Sequence, residues 1–171
     1  MRIVVLSTTI ALALSVSLHA RAAPSNTAFF DFEMVDTSLD GEMYGVRPDE
    51  QDRLKRVGEQ LRKGLAASDK FIIVDIAPVR EEALKSNLQA CGGCDIKLAQ
   101  RLGADLSITG TVQKVSNLIL NMNVYIRDVH SGKLVISMSA DFRGNTDESW
   151  SRAASYLLRN RLLAPEYGTH Q

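Results

Sequence analysis

Apolar and polar residues alternate in four stretches of this chain, run apolar on both faces in a fifth, and recur at helical spacing in four others. AFFDFEMV, from Ala28 to Val35, predicts a first strand, with Phe30, Phe32 and Met34 on one face and Asp31 and Glu33 on the other. Pro48, Asp49 and Glu50 mark a helix start, because proline fits the first turn and acids suit its dipole. Leu54, Val57, Leu61 and Leu65 then share one helix face. KFIIVDI is apolar on both faces and predicts a strand central in a sheet. Strand, helix, strand implies a parallel crossover, right-handed by the general rule. A second helix is expected over Arg80 to Leu88, and a third over Cys94 to Leu102 with Gly103 as its stop. Leu106 to Lys114, Asn117 to Val129 and Lys133 to Arg143 alternate, with turns at Ser116 and at His130-Ser131-Gly132, so they predict an antiparallel meander. Asn145 or Thr146, with Glu148 following, begins a last helix that buries Trp150, Ala153, Ala154, Leu157, Leu158 and Leu162 before Pro165.

The order β-α-β-α-α-β-β-β-α predicts an α/β fold. Its expected form is a two-layer sandwich with a mixed five-stranded sheet and helices mainly on one face. The other face of the meander would carry mostly short neutral polar groups: Ser107, Thr109, Thr111 and Gln113, then Ile119, Asn121, Asn123, Tyr125 and Arg127, then Ser137, Ser139, Asp141 and Arg143. Such a face can simply meet water. It can also serve as a partner surface, with Asn121, Asn123, Tyr125, Arg127, Asp141 and Arg143 as its candidate residues.

The first residues change the picture of where the protein works. Arg2, an apolar stretch from Ile3 to Leu18 and Ala20-Arg21-Ala22 make a secretory leader with an A-x-A cleavage pattern. The stretch is short for a membrane span, which needs about 20 apolar residues. Cleavage after Ala22 removes 22 of the 171 residues and leaves 149, enough for one domain with a real core. Residues 23–165 are expected to form that domain and 166–171 a flexible tail. No cysteine lies near the cut, so the expectation is a periplasmic protein that is not lipidated. Loss of Arg2 and Arg21 from the 20 basic residues leaves 18 against 20 acids. That balance gives no bulk attraction to nucleic acid or anionic membrane.

The chemistry-bearing candidates are few. Cys91 and Cys94 stand in CGGC at a helix start, where the dipole can stabilise a thiolate. No Trp precedes Cys91, and Asp95 follows Cys94 where a haem attachment needs histidine. A zinc site needs about four ligands, and the mature histidines, His130 and His170, lie far from the pair. In an oxidising compartment two cysteines pair. A structural disulfide, an exchangeable redox pair, a metal contact and free thiols all stay open, with the disulfide leading. Asp36, Asp40 and Glu42, near Asp31 and Glu33, read either as a solvated acidic loop or as oxygen ligands for a cation. Their spacing is not that of a calcium loop. In FRGNTDESW, Asn145 and Thr146 read as helix caps, or with Arg143 and Trp150 as a small site. No G-x-S-x-G elbow, phosphate-binding glycine loop or dinucleotide fingerprint occurs, and no catalytic set emerges.

RLGADLSITGTVQKVSNLILNMNVYIRDVHSGKLV resembles a recurring signature of bacterial envelope proteins. It is similar to the domain shared by the TolB amino-terminal region, curli secretion channel subunits and penicillin-binding-protein activator lipoproteins. FFDFEMVDTSLDGEMYG, CGGC and RGNTDESW resemble a family of short secreted proteobacterial proteins known only as a domain of unknown function. The resemblance implies a scaffolding or assembly role in the envelope rather than catalysis. Several of the wider relatives are lipid-anchored at an N-terminal cysteine; this chain has none there.

The sequence therefore predicts a soluble periplasmic, non-enzymatic accessory protein. It would need no cofactor and would contact an unknown envelope protein through its sheet edge or polar sheet face. The alternative is a thiol-disulfide exchange protein using Cys91 and Cys94, and a weaker one is a metal or small-ligand carrier using the acidic loop.

Overall fold

The computed structural model describes residues 23–164. The expected leader, 1–22, the helix stop at Pro165 and the tail, 166–171, lie outside the described residues. The α/β sandwich is present, as a mixed sheet with helices packed on it. The strands are β1 (Ser25–Phe29), β2 (Glu33–Asp36), β3 (Phe71–Ile73), β4 (Leu106–Lys114), β5 (Ile119–Asp128) and β6 (Leu134–Arg143). The helices are α1 (Leu39–Tyr44), α2 (Pro48–Ala66), α3 (Arg80–Lys85), α4 (Cys94–Arg101) and α5 (Asp147–Leu157), the last continuing as a π-helical turn over Leu158–Leu162.

The sheet has six strands rather than five, in the order β3-β1-β4-β5-β6, with β2 also on β4. The extra strand arises because the first one breaks. Phe29 pairs with Ile108 and Glu33 with Thr111, so four steps along the first segment match three along β4. One inserted residue turns every later side chain to the other face. Phe30 therefore does not share a face with Phe32 and Met34. Phe29 and Phe32 stack at 5.7 Å in one core, while Phe30 enters a second core across the sheet. The ring of Phe32 lies over Gly110, where a β-carbon would collide with it.

β3 is a second correction. It is short and lies at the edge, not in the centre. Its apolar run reads as two-sided because Phe71 and Ile73 join one core while Val74 and Ile76 join the other after the strand has ended. The crossover from β1 through α2 to β3 is parallel, as expected.

The main core lies between the sheet and the two long helices. Leu54, Val57, Leu61 and Leu65 of α2 and Trp150, Ala153, Ala154 and Leu157 of α5 bury against Ile108, Val112, Met122 and Val124. α3 and α4 cover one end of the opposite face, where Ala83, Leu88, Leu98 and Ala99 meet Ala28, Phe30 and Val129. The rest of that face, on β5 and β6, carries no helix among the described residues. Among the described residues no helix is long and apolar enough to cross a membrane.

Candidate functional site

Alternation along the meander puts the expected polar residues on one face, and the register aligns them in rows. Asn121 faces Asp141, Asn123 faces Ser139, Tyr125 faces Ser137, and Ile119 faces Arg143. Asn121 Nδ2 donates to Asp141 Oδ1 at 2.6 Å, and Asn123 Nδ2 to Thr111 Oγ1 at 3.4 Å. Asn121, Asn123 and Tyr125 are half-buried, while Ser137, Ser139, Asp141 and Arg143 are exposed. Six residues separate Asn121 from Arg127, about 20 Å of strand at the usual ~3.4 Å rise. The six candidate residues thus form an extended surface and do not converge on one point. β6 bounds it, and among the described residues its outer edge has no neighbouring strand.

The β4 part of the row is not open. Ser107, Thr109 and Thr111 are buried, because the segment before α4 and α4 itself lie over them. Gln89 Nε2 donates to Thr109 Oγ1. Asp95, fully buried in the first turn of α4, accepts from Ser107 Oγ at 2.9 Å and from Arg127 at 3.4 Å. Its other oxygen, Oδ1, is buried without a hydrogen-bond partner among the described residues. Arg127 is therefore the residue that ties the open surface to the covered end.

CGGC forms the turn that leads into α4. The structure places Cys91 and Cys94 within disulfide distance, with Cα atoms 5.8 Å apart. Gly92 and Gly93 both take positive φ, 68° and 108°, a conformation that a side chain resists. Cys91 is exposed and Cys94 half-buried, and the Cys94 N–H points at Cys91 Sγ at 3.2 Å.

The acidic loop meets a cation that belongs to the chain itself. Lys114 is fully buried, yet it ends a strand row that otherwise faces the core. Its ammonium donates to Glu50 Oε1 at 2.7 Å and Asp40 Oδ2 at 3.1 Å, and lies 3.3 Å from Asp36 Oδ2. Burial alone would push its pKa down; the hydrogen bonds to Glu50, Asp40 and Asp36 outweigh that and raise it. Burial would likewise raise the Asp36 pKa, but hydrogen bonds from Ser38 and the Lys114 charge hold it below the ordinary carboxylate value. The loop is partly helical: Ser38 caps α1 by accepting from the Gly41 N–H at 3.0 Å. Glu42 is exposed and Asp31 pairs with Arg62 and Arg80, so the five acids do not gather around one point. Among the described residues no three His, Cys, Asp or Glu side chains are placed to hold a metal ion.

In FRGNTDESW the two expected roles divide between neighbours. Thr146 is the cap of α5, accepting from the Ser149 N–H at 3.3 Å. Asn145 joins the lysine network instead, donating to Glu50 Oε1 at 2.6 Å and accepting from Trp150 Nε1 at 2.9 Å. Arg143 stays apart from both, on the outer face of β6. Sequence reasoning missed the Lys114–Glu50–Asn145–Trp150 network. Its one signal was a lysine in phase with Ile108 and Val112 on β4.

Residues 25–162 match the family DUF3280, described as "Protein of unknown function (DUF2380)". No curated protein matches the sequence. The LpoB C-terminal domain from Escherichia coli is similar in structure, with TM-score 0.50 and 17% identity, over 74% of this chain and 87% of that one. The hypothetical protein CT253 from Chlamydia trachomatis is similar with TM-score 0.50 and 15% identity, over 81% and 93%. Lipoprotein GNA1162 from Neisseria meningitidis matches with TM-score 0.46 and 20% identity, over 74% and 85%. Both parts of the sequence resemblance hold: a family of unknown function is matched, and the wider fold recurs in solved structures.

Proposed function

From the premise that the chain belongs to the DUF3280 family of proteins of unknown function, we propose that it is a non-enzymatic accessory protein of the bacterial envelope. It binds a partner protein across the open polar face of β5 and β6 and the free edge of β6. One observation carries this reading: Asn121, Asn123, Tyr125, Asp141 and Arg143 lie on a sheet face that no helix covers among the described residues, and the ten-residue strand β6 is paired there on one side only. An unpaired edge offers backbone groups for strand addition, and polar groups on the face set specificity. The leader, 1–22, is removed on export, and the mature chain works in the periplasm without a lipid anchor.

The test places a photo-crosslinking side chain at Ser139, with a control at Lys55 on the exposed side of α2. A discrete adduct from Ser139 in intact cells, lost with Tyr125→Glu and absent from Lys55, is the expected result. Equal yields at both positions, or none at Ser139, would sink the reading. Sequencing the N-terminus of the periplasmic protein checks export; it should begin at Ala23.

A second reading, thiol-disulfide exchange, is favoured by the exposed Cys91 and the Cys94 N–H aimed at its sulfur at the start of α4. A reduction potential between about −120 and −230 mV, the range of oxidoreductases, would support it; one below about −300 mV assigns the pair as a clip. The metal-carrier reading loses its basis, because Lys114 occupies Asp36 and Asp40.

A further inference from the structure

Besides the outer edges of β6 and β3, the sheet has a further open edge, set inside a cleft. β3 pairs with β1 only as far as Ile73, and the chain then leaves the sheet. β2 continues along β4 beyond that point and has no strand on its other side among the described residues. The Thr37 N–H reaches the Lys114 carbonyl at 2.9 Å. Backbone alternation then turns Glu33 and Val35 toward β4, and turns the N–H and C=O groups of Met34 and Asp36 away from it. These open into a cleft of about 500 Å3. Its walls are the start of α2, with Glu50 and Leu54, and the segment from Ala83 to Leu88. The cleft therefore occupies the place of a missing strand, with helical walls above and below the sheet.

Two features of the lining state what belongs there. The rim is apolar and exposed: Val46 at 79% on one side and Leu84 at 66% on the other. Four acids, Asp31, Glu33, Asp36 and Glu50, line the interior beside one cation, Arg47, which pairs with Asp40 and Asp49; the acids are not equivalent. Asp31 is held by Arg62 and Arg80, and Asp36 and Glu50 by Lys114. Glu33 forms no ion pair among the described residues; the Leu88 N–H donates to its Oε1 at 2.6 Å. Burial raises the Glu33 pKa, and the N–H groups of Leu88 and Gln89 only partly offset it. A half-buried carboxylate without a cation, beside open backbone groups, is complementary to a basic side chain on an extended backbone.

We propose that the β2 cleft binds an extended segment of a partner protein, which adds a short strand to β2, packs apolar side chains on Val46 and Leu84, and sets a lysine or arginine against Glu33. This deepens the accessory-protein reading by giving it a recognition site of its own, separate from the β5–β6 face.

The test pans a random dodecapeptide phage library against the mature chain and titrates the synthetic winner into isotopically labelled protein. The expected consensus alternates apolar residues and holds at least one Lys or Arg. Amide shifts should concentrate at residues 33–36 and 84–88, and Glu33→Gln should weaken binding about tenfold. That variant keeps an oxygen for the Leu88 N–H, so it is expected to fold. Leu84→Arg, on an exposed site, should also block binding. No enrichment, a consensus without basic residues, or shifts confined to β6 would overturn the proposal. Shifts at β2 that grow with protein concentration before peptide is added would show that a second copy fills the cleft, and would overturn it too. Loss of the Ser139 adduct with the peptide result intact would instead remove only the β5–β6 interface.

Discussion

Lys114 shows how much a single residue can organise. A buried lysine is costly unless it is paired, and here three carboxylates, one each from β2, α1 and α2, pair it. Lys114→Met leaves Asp36 and Glu50 without that cation and Asp40 with Arg47 alone, and should cost about 3–5 kcal/mol in urea unfolding. The same cluster sets the acid response. The folded pKa of Asp36 lies below its ordinary value, so its stabilisation is present above about pH 4 and is lost as pH falls through the folded value. The folded pKa of Lys114 is raised, so its share is full below about pH 10 and is lost only as pH rises through the folded value. Urea midpoints measured against pH should show a neutral plateau with an acid shoulder, and Asp36→Asn should flatten that shoulder. A midpoint that climbs toward pH 3 would contradict this assignment.

At the scale of elements, the one-residue insertion between β1 and β2 has the largest consequences. It sends Phe30 to the second core, splits the strand, and carries β2 past the end of β3 so that its outer edge stays open. The kink is held by Asp31 between two arginines and by Phe32 over Gly110. Gly110→Ala should destabilise by about 1–3 kcal/mol through overpacking. Phe32→Leu in that background should recover part of the loss, which a double-mutant cycle of unfolding free energies would read. Additive losses would mean that the contact does not set the site. This break was not legible in AFFDFEMV, because local alternation holds on each side of an inserted residue and only the register with β4 reveals it. By contrast, Pro48 with Leu54, Val57, Leu61 and Leu65 described α2 correctly. Its signals, a proline in the first turn and apolar residues at helical spacing, are local ones.

For the whole molecule, the two faces of the sheet differ in depth of packing. One carries α2 and α5 over a continuous core, the other a small core under α3 and α4 that CGGC adjoins. A bridge between Cys91 and Cys94 closes a very short loop, so it should add less than the ~3 kcal/mol of a 15-residue loop. Cys91→Ser with Cys94→Ser should therefore leave global unfolding nearly unchanged. Hydrogen exchange should quicken in α3 and α4 while β4 and β5 stay protected. Faster exchange throughout the sheet would show that the second core is part of the global unit.

The sequence by itself determined the elements whose signals are local: the three strands of the meander, α2, α4 and its Gly103 stop, and a last helix starting at Asn145 or Thr146. It also placed the polar residues of β5 and β6 on one face, since alternation needs no knowledge of neighbours. Only the tertiary structure decided which faces and edges remain open. Ser107, Thr109 and Thr111 looked like surface and are buried, because α4 and the segment before it fold back over them. Asp36 and Asp40 looked like solvated acids or a cation site and instead hold a lysine more than seventy residues away in sequence. KFIIVDI looked central and lies at the edge, because burial on both faces can come from two cores as well as from two sheet neighbours. Each of these outcomes depends on pairings between distant segments, and periodicity within one segment carries no information about them.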